Sequence, residues 1–251
     1  MAKIRIRDLS KEYVTRGRKV LAVTGINLEI DDGEFVVAVG LSGCGKTTLL
    51  NILAGFLPPT TGEVLVDGKP VSAEGLNRGV VFQEYALFPW RTALKNVEFG
   101  LEMAGVPAAE RGRIAAEYLR LVHLEGFMDL YPHNLSGGMK QRVAVARALA
   151  YGPQILLMDE PFGALDAETR EQLQGLAVEV WQKTKKTVFY VTHNMSEAVY
   201  VADRVVILSG QPGRITREIR VRIPRPRDPL SPEFIQIQRE ATEAIRAKAP
   251  A

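Results

Sequence analysis

Cysteine is almost absent from this 251-residue chain. Cys44 is the only one, which excludes an internal disulfide and suits a reducing cytosol. Long apolar runs are missing too: no stretch of about 18 uncharged apolar residues exists, so no segment reads as a membrane span. The N-terminal Met1-Ala-Lys-Ile-Arg-Ile-Arg alternates charged and apolar residues and lacks the apolar core of a signal peptide. An excess of either charge is equally scarce, with 32 Lys+Arg against 29 Asp+Glu and a net charge of +3. The pI near 9.0 is therefore a weak pointer to nucleic acid. Much of the excess sits at Arg214, Arg217, Arg220, Arg222, Arg225 and Arg227, expected to form a solvated edge. At 46% apolar and 24% charged residues, the composition excludes disordered, collagen-like and coiled-coil chains. The length predicts one large domain or two small ones.

What is present is a rhythm of strands and helices. Ile4 to Arg7 and Ile26 to Ile30 alternate at period two, the second running into the turn Asp31-Asp32-Gly33. The continuous apolar run Phe35 to Val39 predicts a strand buried on both faces. Glu63 to Val66 followed by Asp67-Gly68 predicts a hairpin. From about Thr92 to Ala150 no strand-like run occurs, while Ile114, Tyr118, Leu121 and Val122 recur at helical spacing. A helical subdomain inserted between strands is expected there. The βα rhythm then resumes with a strand over 154–159 and a helix from about Asp166 carrying Leu173, Leu176, Val180 and Trp181 on one face. Strands over 187–191 and 204–208 follow, separated by a helix near Ser196 to Ala202. This alternation predicts an open α/β sheet. The Pro-rich run from Ile223 to Pro229 is expected to end the globular body, before a terminal helix from Pro232 to Lys248.

Gly40-Leu41-Ser42-Gly43-Cys44-Gly45-Lys46-Thr47 fits the phosphate-loop pattern G-x-x-x-x-G-K-[ST]. Glycines let successive backbone N–H groups converge on phosphate oxygens, and a helix starting near Lys46 aims its positive dipole end at the same oxygens. Lys46 supplies a point charge for the terminal phosphates and Thr47 a hydroxyl for Mg²⁺. The buried strand before the loop and the helical run from Thr48 to Leu53 supply the right context. At the end of the later strand stand Asp159 and Glu160. Asp159 is placed to hold Mg²⁺ through water, and Glu160 to polarise a water in line with a γ-phosphate. A third feature is Leu135-Ser136-Gly137-Gly138-Met139, where Ser-Gly-Gly at a helix start offers a hydroxyl, open backbone N–H groups and a dipole end. Two anion sites far apart in sequence hold either one nucleotide between them or two across a dimer.

These segments, with Gly163-Ala164-Leu165-Asp166, His193 after the strand over 187–191, and Gln83 in Val81-Phe82-Gln83-Glu84, occur in an order that resembles the ATP-binding subunit of ABC transporters. The resemblance covers nearly the whole chain. It implies a P-loop NTPase with a RecA-like α/β core, an N-terminal antiparallel β subdomain and an inserted α-helical signature subdomain. The cassette would span 1–222, with its helical part at about 92–150, and 223–251 would form a Pro/Arg-rich C-terminal segment. ATP and Mg²⁺ are the implied cofactors. Tyr13 would stack on adenine, Gly40 to Thr48 (Thr48 included) would wrap the phosphates, and Gln83 would sense Mg²⁺ and the attacking water. Thr47 and Asp159 would complete the metal contacts, Glu160 would be the general base, and His193 would contact the γ-phosphate. Ser136, Gly137 and Gly138 would touch ATP held by a second copy or a sister subunit, and Asp166 would bridge that interface.

The resemblance also implies integral membrane permease subunits as partners, indirectly a substrate-binding protein, no nucleic acid, and a peripheral place on the cytoplasmic face of the membrane. The segments from Arg78 to Gln83, Leu87-Phe88-Pro89-Trp90-Arg91 and Glu160 to Asp166 are most similar to the nitrate/sulfonate/taurine importer branch, and the Gln83–Arg91 loop would meet the permease. The rival readings are an exporter or lipid-trafficking ATPase, against which the Trp90 loop argues, and a soluble ABC ATPase acting on nucleic acid. The latter would need inserted coiled coils or a second cassette. Met139 departs from the family's Gln, which could reach back to the Ser136 cap; a small local cost is expected. Gly163 stands where Ser is common. The helix end and Lys46 are expected to lower the Cys44 pKa, so that thiol reagents block hydrolysis.

Overall fold

The computed structural model describes residues 2–15, 17–72, 78–163 and 165–246. Ala164 of the predicted Gly163–Asp166 segment and residues 247–248 of the predicted terminal helix lie outside them. Two compact units emerge, Met1–Gly75 with Lys186–Ala251, and Leu76–Lys185.

The first unit opens with β1 (Ala2–Thr15) and β2 (Arg18–Asp31), a longer antiparallel hairpin than the alternation alone predicted. β3 (Phe35–Val39) and α1 (Lys46–Ala54) follow, then β4 (Thr61–Val66) and β5 (Lys69–Pro70). Pairing aligns Ile4 and Ile6 with Ile30 and Leu28 on one side and with Val66 and Val64 on the other. All six are buried, so one face of this sheet, ordered β2-β1-β4-β5, carries the core while its charges face out. Asp67 and Gly68 both take positive φ, 50° and 74°, the geometry of a tight hairpin turn.

The second unit holds β6 (Arg78–Val81), α2 (Ala93–Met103), α3 (Ala108–Leu121), α4 (Gly137–Ala150), β7 (Ile155–Asp159) and α5 (Ala167–Thr184). The expected helical stretch is present. β6 runs parallel to β7, with Gly79 opposite Leu156 and Val81 opposite Met158; at four residues it was too short to read from periodicity. Gly79 admits α4, since a Cβ there would lie 2.4 Å from the Ala148 carbonyl oxygen. Of the expected Ile114, Tyr118, Leu121 and Val122, Val122 is buried at the C-cap, while within α3 the buried stripe is Ala115 and Leu119, one residue on from Ile114 and Tyr118. Small Ala115 lets the helix seat closely, and the larger neighbours lie half-buried at its flanks.

Back in the first unit, β8 (Thr187–Thr192), α6 (Met195–Val201), β9 (Arg204–Ser209), β10 (Arg214–Arg220) and α7 (Pro232–Arg246) complete the chain. β3 lies between β8 and β9, parallel to both, and β10 pairs antiparallel with β9. Every residue of β3 and β8 is buried, which is why these runs read as continuous apolar stretches.

Arg214, Arg217, Arg220 and Arg222 are exposed, as expected of a solvated edge, whereas Arg225 and Arg227 depart from that expectation. Arg225 donates to Asp203 at 2.7 Å. Arg227, 4% exposed, donates to the carbonyls of Val199, Tyr200 and Ala202 at 2.6–3.0 Å. These carbonyls close α6, so Arg227 caps its C-terminus from inside the fold. Burial pulls its pKa down to about 10. The Pro-rich run expected to end the globular body is thus tied into it, and Phe234, Ala241 and Ile245 of α7 are buried beyond it.

Candidate functional site

In the first unit the phosphate loop joins β3 to α1. Gly43 and Gly45 hold φ of 81° and 88°, where a side chain is strained. A Cβ on Gly45 would also sit 2.3 Å from Val23 Cγ1, and one on Gly40 2.3 Å from the Leu208 carbonyl oxygen. The loop backbone is therefore pressed against its neighbours and cannot carry side chains at those two points. α1 starts at Lys46 with Gly45 as N-cap, no side-chain cap and no acidic residue in its first turn. No cap side chain or acidic residue therefore competes with an anion at the positive end of α1. The Lys46 ammonium, 6% exposed, donates to the carbonyls of Gly40 at 2.9 Å and Leu41 at 3.2 Å, which holds it over the loop. Leu41, Ser42, Gly43 and Thr47 are exposed, so the outer surface of the loop is open. This cradle fits a polyphosphate.

Two other predicted residues join it. The Tyr13 hydroxyl lies 3.3 Å from Thr48 Oγ1, with the Lys11 ammonium 5.6 Å from the ring centroid. Val39 pairs with Thr192 across β3 and β8, so Gly40 and His193 leave the sheet at the same carboxyl edge, where ligands of α/β sheets bind. His193 is exposed, between buried Thr192 and the α6 N-cap Asn194, and is no core histidine.

Cys44 reverses its expectation. It is 3% exposed, and burial pushes its thiol up, outweighing the opposing pull of Lys46 and backbone N–H groups. The loop turns the side chain inward, where desolvation of a thiolate dominates. The folded chain should therefore react with iodoacetamide at least about tenfold more slowly than the urea-unfolded chain, read by mass spectrometry; equal rates would refute the buried thiol.

In the second unit Val81 opposite Met158 brings Gln83 and Glu160 off the same end of the β6–β7 pair, each two residues beyond it. Asp159 and Glu160 are half-buried and Gln83 is exposed. Glu160 takes φ 41°, a strained left-handed conformation for a residue with a Cβ, of the kind that gathers at functional sites. Its carbonyl accepts from the Gly163 N–H at 3.1 Å, so a tight turn fixes where the carboxylate starts. Ser136 is the N-cap of α4, its hydroxyl accepting from the Met139 N–H at 3.3 Å; Met139 leaves that cap intact. A Cβ on Gly137 would meet Tyr85 Oη at 3.0 Å and Leu165 Cδ2 at 3.1 Å, and one on Gly138 would meet Thr169 Cγ2 at 2.6 Å. Close packing therefore adds to the reason for both glycines. Asp166 is the exposed N-cap of α5; its carboxylate accepts from the Thr169 N–H at 2.9 Å, and that bond holds its pKa below the usual range.

Among the described residues no cluster of three His, Cys, Asp or Glu side chains could hold a metal ion. Two residues that the sequence reading did not single out, Asn96 and Arg147, hold the loop after Gln83; both bind backbone carbonyls, which leaves no mark in a sequence.

The family described as ABC transporter matches residues 23–163. A nitrate import ATP-binding protein of Synechocystis sp. is 46% identical over 94% of this chain and 89% of its own. A taurine import ATP-binding protein of Pseudomonas putida is 51% identical over 88% and 84%. Among solved structures, the dimeric post-hydrolysis ATP-binding cassette MJ0796 with ADP and Pi superposes at a TM-score of 0.77, with 36% identity over 88% of this chain and 99% of that one.

Proposed function

Since the chain belongs to the ABC transporter family, as an ATP-binding subunit that hydrolyses ATP, we propose that it drives an importer of the nitrate/sulfonate/taurine type. The observation that carries the importer reading is Trp90, 72% exposed on the loop that follows Gln83. A large aromatic held out in water marks a docking point, here for an integral permease. The printed import roles of the nitrate and taurine relatives support the same reading. A binding protein and the permease would select the cargo, so this ATPase serves either solute with little change.

Each residue then has a task. Tyr13 stacks on adenine, while the amides of Gly40 to Thr48 and the Lys46 ammonium bind the phosphates. Mg²⁺, when bound by Thr47, Asp159 and Gln83, supplies positive charge at the phosphate oxygens. Gln83 orients the attacking water, Glu160 takes its proton, and His193 donates a hydrogen bond to the γ-phosphate. Ser136, Gly137 and Gly138 bind the γ-phosphate held by a second ATP-binding subunit, with Asp166 at that interface. ATP closes this dimer and phosphate release reopens it.

No described helix is long and apolar enough to cross a membrane, so attachment at the cytoplasmic face would come through the permease. Tagged protein drawn from native membranes in mild detergent should bring an integral membrane subunit with it. Repeated recovery of the ATPase alone would sink the importer reading.

A further inference from the structure

The segment from Tyr85 to Thr92 has no regular secondary structure, yet side chains of α2 and α4, buried Asn96 and half-buried Arg147, grip it at both ends. Asn96, in the first turn of α2 and fully buried, accepts from the Phe88 N–H at 2.8 Å. Its amide nitrogen donates to the carbonyls of Phe88, Arg91 and Thr92 at 3.0–3.2 Å. One carboxamide thus meets four backbone groups, of which the Phe88 and Thr92 carbonyls also accept from the Arg91 and Asn96 N–H groups. Arg147, ten residues into α4, donates to the carbonyls of Ala86 at 2.5 Å and Tyr85 at 3.0 Å. No carboxylate pairs with Arg147 among the described residues, and the planar guanidinium suits two converging carbonyls as a single ammonium does not. Ala86, between these contacts, holds φ 47°. The Tyr85 hydroxyl packs against Gly137 at the other end of α4. Trp90 stands on this frame: its ring is 5.6 Å from Phe88, which packs at 4.6 Å on Phe99 of α2.

We propose that Arg147 and Asn96 are positioning residues that lock the Tyr85–Thr92 loop to α4 and α2, so that Trp90 follows the helix that begins at Ser136. The inference rests on the docking role of Trp90 and adds the link between that residue and the ATP-binding signature. A loose loop would let α4 shift without moving Trp90; a doubly pinned one transmits the shift.

The test uses the full chain with Trp181→Phe, which leaves Trp90 as its single tryptophan. Arg147→Lys keeps the cation but loses the fork, and Asn96→Ala removes the second anchor. With the fold intact by circular dichroism, each variant should lower the Trp90 fluorescence anisotropy and speed amide exchange over 85–92 by about tenfold or more. The Trp90 emission change on adding ATP should fall at least about fivefold, with KM for ATP held within about twofold. Unchanged anisotropy and exchange in both variants would overturn the locking, as would protection lost equally from every helix. A wild-type Trp90 signal indifferent to bound ATP would overturn the link to α4. Failure to recover a membrane subunit bears on the docking role alone, and the exchange data still decide the locking.

Discussion

Glu160→Gln is expected to bind ATP normally, to hydrolyse it about 10²–10⁴-fold more slowly, and to accumulate as an ATP-loaded dimer. The substitution isolates one property. Gln has the volume and hydrogen-bonding reach of Glu, so the φ of 41° and the turn closed by the Gly163 N–H are asked to carry nothing new. An amide cannot accept the proton that water must lose before it attacks phosphorus. Binding depends on Lys46 and the loop amides and is left alone. In the proposed cycle hydrolysis separates two subunits joined by shared ATP, so a block there would shift the population toward the closed pair. Light scattering with ATP and Mg²⁺ should report the dimer and a phosphate-release assay the lost turnover. Rapid hydrolysis by the variant would remove Glu160 as the base.

The features legible in the sequence were those whose chemistry is local. Gly40 to Thr47 announces itself because phosphate binding needs glycines, a lysine and a hydroxyl within one turn and one helix start. Ser136 reads as a cap for the same reason. β3 and β8 were visible because both faces are buried, which makes the run continuous. β10 was hidden: only Ile219 in it is buried, and its exposed arginines gave it the look of a solvated edge. Cys44 misled because position beside Lys46 is a sequence fact while burial is a tertiary one, and burial outweighs the charge. Arg227, Asn96 and Arg147 were unreadable on principle. Their partners are carbonyl groups, which every residue carries, so only the path of the chain distinguishes a bound arginine from a solvated one. Polar residues were read as surface or chemistry, and several of them are scaffolding.

Lys46→Met should abolish turnover to within measurement, a loss of at least about 10²–10³-fold, and should do so without unfolding the chain. Lys46 is 6% exposed, so its methylene stem is packed and Met replaces that stem with little change of shape. What disappears is the ammonium now resting on the Gly40 and Leu41 carbonyls, the one full positive charge in the loop. Helix-end N–H groups carry only partial charge and are screened beyond the first turn, so they cannot replace it against a developing phosphoryl charge. Gly45→Ala makes the converse change. It keeps the ammonium but adds a Cβ 2.3 Å from Val23 Cγ1 at a φ of 88°, so the loop must shift and stability should fall by about 1 kcal/mol or more. The two variants therefore separate charge from shape. Lys46→Met should melt within a few degrees of the parent and lose the stabilisation that ATP gives the wild type. Gly45→Ala should melt lower even without nucleotide. If Lys46→Met still hydrolyses ATP at a rate near the parent's, the loop from Gly40 to Thr48 is not where the transferred phosphate is held.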